Sequence, residues 1–350
     1  MKEFKIGNNE EGQRLDKLLN KILNEATKGF IYKMLRKKNI TLNNKKASGN
    51  EILKSDDVVK IFLSDETFDK FSKVNVDSNI VGISKSNKST KKAISEKNTN
   101  INNKSLNYDL KKYIIAETKD YMIINKPAGM LSQKAEKDDI SLVELIIDYM
   151  LKSGEISTEQ LRTFKPSICN RLDRNTSGLL IAGKSLIGLQ KMTEYIKNRD
   201  IDKYYLAFVK GKVDKGDKIE GYLVKDSKTN KVKVVAESSF DYINTEYEVL
   251  ASNNEYSLLK VKLITGKTHQ IRAHLASVNH PIIGDYKYGD RKINDEFKKK
   301  YGLEYQMLHS YEVNFNNKDK DELGVKGKIY KALPDNRFIR IVEEKSAYIF

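Results

Sequence analysis

The sequence predicts an α+β protein made of a small N-terminal domain and a larger, strand-rich domain. The chain has 350 residues, and one domain usually takes ~100–200 residues, so the length allows two domains. Hydrophobic residues make up 39% of the chain, which suffices for a globular core. Apolar side chains follow helical spacing up to residue 64, whereas strand patterns outnumber helical ones after residue 110.

Two short helices and a strand pair are predicted in residues 1–64. Apolar residues at helical spacing mark the two buried faces, at Leu15, Leu18, Leu19, Ile22 and Leu23 and then at Phe30, Ile31, Met34 and Leu35. The pair Asn43-Asn44 is a turn signal between two short strands. Basic residues lie around and after the second helix, at Lys33, Arg36, Lys37 and Lys38. They either solvate a helix face or bind a polyanion.

Residues 65–110 are predicted to be a basic linker. Residues 84–105 consist mostly of Ser, Asn, Thr and Lys, with Glu96 as the single acidic residue. Such a segment has few apolar side chains to offset an ordering cost of roughly 1–2 kcal/mol per residue, so we expect it to be disordered without a partner. It is either a plain tether or a basic arm that contacts a nucleic-acid backbone.

Residues 111–350 are predicted to form a mixed domain. A hairpin is expected from residues 113–116 and 121–124, and Ser141 with Glu144 fits a capping box at the start of a helix over 142–151. A second helix is expected over 185–199. Further strands are predicted over residues 204–209, 243–250 and 257–264.

The segment with the most chemical information is residues 170–182, NRLDRNTSGLLIA. It places Asp173 between Arg171 and Arg174, and nearby cations favour the ionised carboxylate. Thr176, Ser177 and Gly178 offer hydroxyl hydrogen bonds and tight-turn geometry. Taken alone, this pattern also fits a loop whose salt bridges are only structural.

This segment closely resembles the catalytic loop of the RluA-type pseudouridine synthases, and the other motifs of that family occur in the same order. They are INKPAGM at 124–130, KYYLAFVKG at 203–211, TGKTHQIRAHL at 265–275, HPIIGD at 280–285 and Leu308-His309. Six ordered segments make a chance match very improbable. One departure is Asn170, where the family usually has His, and an amide cannot titrate near neutral pH.

Residues 11–63 resemble an S4 RNA-binding domain. The resemblance is carried by GQRLDKLL at 12–19 and by the turn NNKK at 43–46. Such domains present a basic helix pair to structured RNA, and phosphate neutralisation supplies much of the affinity. The resemblance therefore implies RNA contacts from the basic residues of this segment, namely Arg14, Lys33, Arg36, Lys37 and Lys38. The combination is similar to the subgroup that modifies large-subunit ribosomal RNA.

The resemblance implies a catalytic domain with a mixed, largely antiparallel sheet and an isomerisation of uridine to pseudouridine. Substrate and product are isomers, so no cofactor and no metal are expected. Asp173 is implied to be the essential aspartate, acting on the ribose or on the base. Arg272 is implied to pair with Asp173 and keep it ionised. Tyr205 is implied to stack on the uracil or to act as general acid or base.

Base flipping is the expected route to a uridine inside folded RNA, and Arg171 is placed to fill the vacated position or to hold the RNA backbone. The resemblance further implies RNA or substrate contacts at Arg174, Thr176, Lys126, Lys203, Lys267, His269 and Gln270. For Lys126, Lys203 and Lys267 the alternative is an ordinary solvated lysine.

Charge and composition limit the partners. Lys+Arg 64 and Asp+Glu 48 give a formal net charge of +16, which favours a polyanion. No apolar run reaches the ~18 residues of a membrane span, and one cysteine and the polar start of the chain predict a cytoplasmic protein. We expect a monomer that binds RNA, most of all large-subunit ribosomal RNA, and neither DNA nor membranes. The alternatives are a synthase acting on tRNA and a non-catalytic RNA-binding or ribosome-assembly factor.

Overall fold

The computed structural model of the protein describes residues 1–7, 9–73, 109–136, 138–225, 232–235, 241–316, 321–346 and 348–350. Packing divides the chain into two compact units. The first contains Met1–Leu110, Val143–Ser167 and Gly183–Gln190, and the second contains Lys111–Leu142, Ile168–Ala182 and Lys191–Phe350. In the part of the chain that is described, no helix is long and apolar enough to cross a membrane.

The described helices are α1 Leu15–Ile22, α2 Lys28–Arg36, α3 Asp65–Phe71, α4 Leu142–Ser153, α5 Leu186–Asn198, α6 Gln270–Ser277, α7 Arg291–Tyr301 and α8 Asn336–Ser346. The strands are β1 Lys2–Lys5, β2 Ile40–Leu42, β3 Lys45–Lys46, β4 Val58–Ile61, β5 Ile114–Glu117, β6 Tyr121–Lys126, β7 Ser167–Ile168, β8 Ser177–Gly183, β9 Ile201–Lys210, β10 Asp217–Lys225, β11 Val232–Val235, β12 Asp241–Ser252, β13 Tyr256–Leu263, β14 Leu308–Phe315 and β15 Ile329–Lys331.

The first unit contains a four-stranded sheet in the order β1-β4-β2-β3. The predicted apolar faces of α1 and α2 are buried in one cluster with residues of this sheet, such as Ile40 and Val59. Thr27 begins α2 by accepting a hydrogen bond from the Phe30 amide. Asn43 and Asn44 both have positive φ, as a tight hairpin turn between β2 and β3 requires. The predicted helix pair and hairpin are therefore confirmed.

The predicted start of the linker at residue 65 is wrong. Residues 65–71 form α3, capped by Ser64, and Phe68 is buried against the core of the first unit. Arg162 lies over the Phe68 ring of α3, and the Thr163 hydroxyl donates to Glu10, so part of the predicted C-terminal domain packs with N-terminal residues of the first unit. The two units are therefore not separated by a single boundary at residue 110, because the first unit also contains segments that follow this residue. Residues 84–105, predicted to be disordered, lie outside the described residues.

The second unit is built on a large mixed sheet with the strand order β11-β10-β12-β13-β9-β14-β8-β6-β5. The pairs β10–β12, β12–β13, β13–β9 and β9–β14 are antiparallel, and β14–β8 is parallel. The predicted hairpin is present as β5–β6, and the predicted strands correspond to β9, β12 and β13. The α+β class with a mixed, largely antiparallel sheet is confirmed. Strand β9 lies in the middle of the sheet, between β13 and β14.

Candidate active site

The loop of residues 170–176 joins β7 to β8 and is held at several points. Asn170 Oδ1 accepts a hydrogen bond from the Ile181 amide at 2.8 Å. The Ser132 hydroxyl donates to Leu172 O at 2.7 Å and accepts from the Leu172 amide at 3.2 Å. The Thr176 amide closes the turn by donating to Asp173 O at 3.0 Å. Asp173 is therefore presented, partly exposed, from a fixed backbone, and Asn170 serves as an acceptor that anchors the loop.

Gly178 lies at the start of β8, where the loop that carries Asp173 ends against β14. Its φ is +110°, and a Cβ at this position would lie 2.3 Å from Ser310 O on β14. Any side chain would push β8 away from β14, where the two strands pair in parallel. Glycine at 178 is therefore needed to bring the loop against the centre of the sheet.

Arg272 on α6 is clasped between two carboxylates. Its Nη1 donates to Asp173 Oδ2 at 2.7 Å, while Nε and Nη2 form a fork with Asp285 at 2.7 and 2.9 Å. Burial opposes the charge, but hydrogen bonds and charge from Asp285 and Asp173 outweigh it and raise the pKa of Arg272. The expected contact between Arg272 and Asp173 is present, and it aims one guanidinium nitrogen at one carboxylate oxygen.

Asp285 is the important residue to which the sequence reasoning gave no role. It is almost fully buried, and its Oδ1 also accepts from the amides of Lys287 and Tyr288. The signal was its position at the end of the segment HPIIGD, but only the structure brings that segment against α6. Asp285 orients Arg272, because a planar guanidinium held at two nitrogens cannot rotate.

His269 and Tyr288 complete the surroundings of the ion pair. His269 Nδ1 and the Tyr288 hydroxyl are 2.9 Å apart, and His269 Nε2 lies 3.8 Å from Asp173 Oδ2. Burial lowers the pKa of His269, which favours the neutral imidazole. The Tyr288 ring lies 5.2 Å from the Arg272 guanidinium carbon, within cation–π range. His269 thus lies beside Asp173 in the lining of the cavity, and its contact with a substrate stays a prediction.

Tyr205 lies on β9 and is buried. Burial raises the pKa of its phenol to about 12, and the charge of the nearby Asp173 acts in the same direction. The phenol therefore keeps its proton at neutral pH. Tyr204 lies beneath the Lys260 ammonium, which is 4.7 Å from its ring centre. Unlike Tyr205, it does not line the cavity that contains Asp173.

Asp173, Tyr205 and Arg272 line one open cavity of about 1130 Å³. Its walls come from residues 131–135, the loop 169–174, the start of β9 and residues 263–272. Small-molecule sites usually measure ~300–1,000 Å³, so this cavity is slightly larger than that range. Of the described residues, no group of three or more His, Cys, Asp or Glu side chains is arranged to hold a metal ion.

Lys126 does not lie on the protein surface, so the expectation of a phosphate contact there is corrected. Its side chain is fully buried, and Nζ donates to the carbonyls of Met130, Pro127 and Arg174 at 2.9, 3.0 and 3.2 Å. Burial lowers its pKa to about 7. Lys126 instead ties the turn at 127–130 to the loop that carries Asp173.

Thr176 and Gln270 are corrected in the same way, since both side chains are buried. Thr176 Oγ1 accepts from Gln306 at 2.6 Å. Gln270 Nε2 donates to Asn244 O and Thr245 Oγ1, and its Oε1 accepts from Thr265. These side chains stabilise the walls of the cavity, and both are already engaged with protein groups.

The remaining predicted contact residues are accessible. Arg171, Arg174 and Lys267 are exposed and line the cavity, and Lys203 is partly buried in its wall. In the first unit, Lys33, Arg36, Lys37 and Lys38 are exposed. Arg14 is engaged by Asp16, with hydrogen bonds of 3.1 and 2.8 Å, and is partly exposed.

Residues 120–277 match the family model for RNA pseudouridylate synthases. The resemblance carried by the six motifs is thus confirmed, and the protein is an enzyme of the pseudouridine synthase class.

Individual relatives support the assignment over most of the chain. An uncharacterized RNA pseudouridine synthase of Mycoplasma capricolum is 29% identical over 91% of this chain and 96% of its own length. The ribosomal large subunit pseudouridine synthase C of Vibrio parahaemolyticus is 27% identical over 89% of this chain and 87% of its own. The ribosomal large subunit pseudouridine synthase D of Borreliella burgdorferi is 34% identical over 58% of this chain and 60% of its own length. The solved structure of the human protein named RNA Pseudouridylate Synthase Domain Containing 4 shares the fold, with a TM-score of 0.54 and 20% sequence identity. The match covers 67% of this chain and 93% of the human chain.

Proposed function

We propose that this protein converts specific uridines to pseudouridine in large-subunit ribosomal RNA, with Asp173, Tyr205 and Arg272 as its catalytic residues. The observation that carries the proposal is the Asp173–Arg272 ion pair in a cavity that also contains Tyr205. Two relatives that match this chain are named as synthases of the large ribosomal subunit, which supports the choice of RNA.

Asp173 supplies the negative charge that the reaction needs. The N1–C1′ bond of uridine breaks with its electron pair leaving on the uracil, so C1′ becomes electron-poor. A carboxylate at this position stabilises C1′ by charge or by forming a covalent bond. Arg272 holds one oxygen of this carboxylate, which leaves the other oxygen for the substrate.

Tyr205 acts as the general acid and then as the general base of the isomerisation. Uridine loses the hydrogen on C5 when C5 bonds to C1′, and pseudouridine gains a hydrogen on N1. A protonated phenol donates to the departing uracil, and the resulting phenolate then takes the proton from C5, so the residue returns to its starting state. The raised pKa of Tyr205 supports this order, because the phenol begins the cycle with its proton.

RNA binding draws on both units. Exposed Arg171 at the mouth of the cavity is suited to replace a flipped uridine in the stack. The basic residues of the first unit act as an S4-like module for structured RNA, through their attraction to phosphates. Residues 74–108 connect this module to the catalytic unit, and the protein acts as a monomer in the cytoplasm without cofactor or metal.

The proposal is tested by site-resolved pseudouridine mapping of total RNA from cells that lack the gene. We expect specific large-subunit uridines to lose their modification, and we expect the wild-type gene to restore it while Asp173→Asn does not. If pseudouridines disappear from tRNA instead, tRNA is the substrate of this protein. If no site changes, or if the Asn variant restores the sites equally, the protein is a non-catalytic RNA-binding or ribosome-assembly factor.

Replacing Tyr205 by Phe is expected to lower kcat by about 10²–10⁴-fold, the usual contribution of a general acid–base group. KM should change by less than about threefold, because the ring that stacks on uracil remains. Isomerisation expels the hydrogen on C5, so release of tritium from RNA containing [5-³H]uridine measures it. A Phe variant with wild-type kcat would show that only the ring of Tyr205 matters.

A further inference from the structure

Lys203 lies in the wall of the cavity, on the same face of β9 as Tyr205. The two residues are two positions apart, so their side chains leave the strand on one side, and both line the cavity. Gly266 also lines the cavity, and a Cβ at this position would lie 3.7 Å from Lys203 Nζ. Because residue 266 is a glycine, no side chain covers the ammonium group there.

Lys203 has no counter-charge within the described parts of the chain. Burial is the one influence on its titration, and it lowers the pKa of Lys203 below the usual value. The adjacent carboxylate, Asp202, is engaged by Lys262 at 3.1 Å and Asn316 at 2.7 Å. A partly buried cation without a partner is unfavourable, so its presence indicates that the partner arrives with the ligand.

The surroundings specify the charge of that ligand. Among the described residues that line the cavity, the carboxylates are Asp173 and Asp202, and each is paired with a cation. The same cavity is also lined by the exposed cations Lys197, Arg199 and Lys267. The cavity therefore attracts an anion to this wall.

A uracil ring and a ribose carry no charge at neutral pH, so the anion of the substrate is its phosphodiester backbone. We propose that Lys203 binds a backbone phosphate that flanks the target uridine, in a subsite opened by Gly266. This inference rests on the proposed function and adds which part of the RNA this wall recognises. Such a contact is formed in the bound state before reaction and holds the register of the strand, while the uracil is left to Asp173 and Tyr205.

The test compares Lys203→Met, Lys203→Arg and a matched control, Lys212→Met. Lys212 is an exposed lysine paired with Asp214 and does not line the cavity. The full-length proteins are assayed by tritium release from an in vitro transcript of the large-subunit ribosomal RNA, at several KCl concentrations. Circular dichroism and thermal unfolding check that each variant folds.

We expect Lys203→Met to raise KM about tenfold, with kcat within about threefold of wild type, because a ground-state contact is lost. The slope of log(kcat/KM) against log[KCl] should become shallower by about 0.7–0.9, the contribution of one phosphate contact. Lys203→Arg should retain both values, because it preserves the charge. Lys212→Met should match wild type.

Several results would overturn the inference. Unchanged KM and salt slope in Lys203→Met would show that no phosphate is bound there, and a loss confined to kcat would assign Lys203 to the base instead. If Lys212→Met changed KM and the salt slope equally, the effect would come from the loss of one positive charge anywhere on the protein and not from a phosphate contact at Lys203. If Lys203→Met does not fold, Lys203→Gln takes its place with the same expected values. If the wild type releases no tritium, the proposed function itself fails, which is a different outcome.

Discussion

Asp173→Asn is expected to reduce kcat by a factor on the order of 10⁴ or more, while RNA affinity is kept. The amide has nearly the shape of the carboxylate, but it carries no charge to stabilise C1′ and is a very poor nucleophile. RNA affinity should stay equal or increase slightly, because a negative charge leaves a cavity that binds a polyanion. Tritium release measures kcat, and fluorescence anisotropy with a labelled RNA transcript measures binding.

The folded structure should survive this substitution. Arg272 keeps its fork with Asp285, so no buried charge is left without a partner. Asp214→Asn is the matched control, since it removes an exposed carboxylate that pairs with Lys212 and lies outside the cavity. An Asp173→Asn protein that retains a tenth or more of wild-type kcat would exclude Asp173 as the catalytic carboxylate.

Arg272→Met is expected to damage both stability and activity. It leaves Asp285 buried without its cation, which should lower the free energy of unfolding by about 3–5 kcal/mol. It also leaves Asp173 without the group that orients it, so kcat should fall at least about 100-fold. Urea denaturation measures the first effect, and tritium release under conditions where the variant is folded measures the second.

A double variant separates the two effects. In Arg272→Met with Asp285→Asn, the uncompensated buried charge is gone, so much of the lost stability should return. Activity should remain low, because Asp173 still lacks its partner. If the double variant regains wild-type kcat as well, Arg272 contributes to the protein only through folding.

The elements that local patterns predicted correctly have local causes. The stripe of α1 and α2, the Asn43-Asn44 turn and the alternation along β13 each involve residues within a few positions of one another. The predicted start of the linker at residue 65 was wrong because the cause of the helix there is not local. Helix α3 is short and polar, and it is held by the burial of Phe68 in a core formed by distant residues.

The three misassigned contact residues have one common cause. Lys126, Thr176 and Gln270 are polar residues in functional motifs, and their composition favours contact with RNA. Each is buried because distant backbone or side-chain groups converge on it, such as Arg174 O on Lys126 and Asn244 O on Gln270. Sequence spacing does not show whether a polar group is satisfied by the protein or left for a ligand.

The sequence alone determined the two helices of the N-terminal part, the strand-rich class of the second part, and the identity of the ordered motifs that contain Asp173, Tyr205 and Arg272. Only the tertiary structure decided that Asp285 holds Arg272 at two nitrogens, that Lys126 is interior and that Lys203 has no partner among the residues the structure describes. The reason is that periodicity and turn chemistry act over a few residues, whereas burial and charge pairing depend on which remote strands and loops meet. Asp173 and Arg272 are 99 positions apart in the chain, yet 2.7 Å separates their side chains.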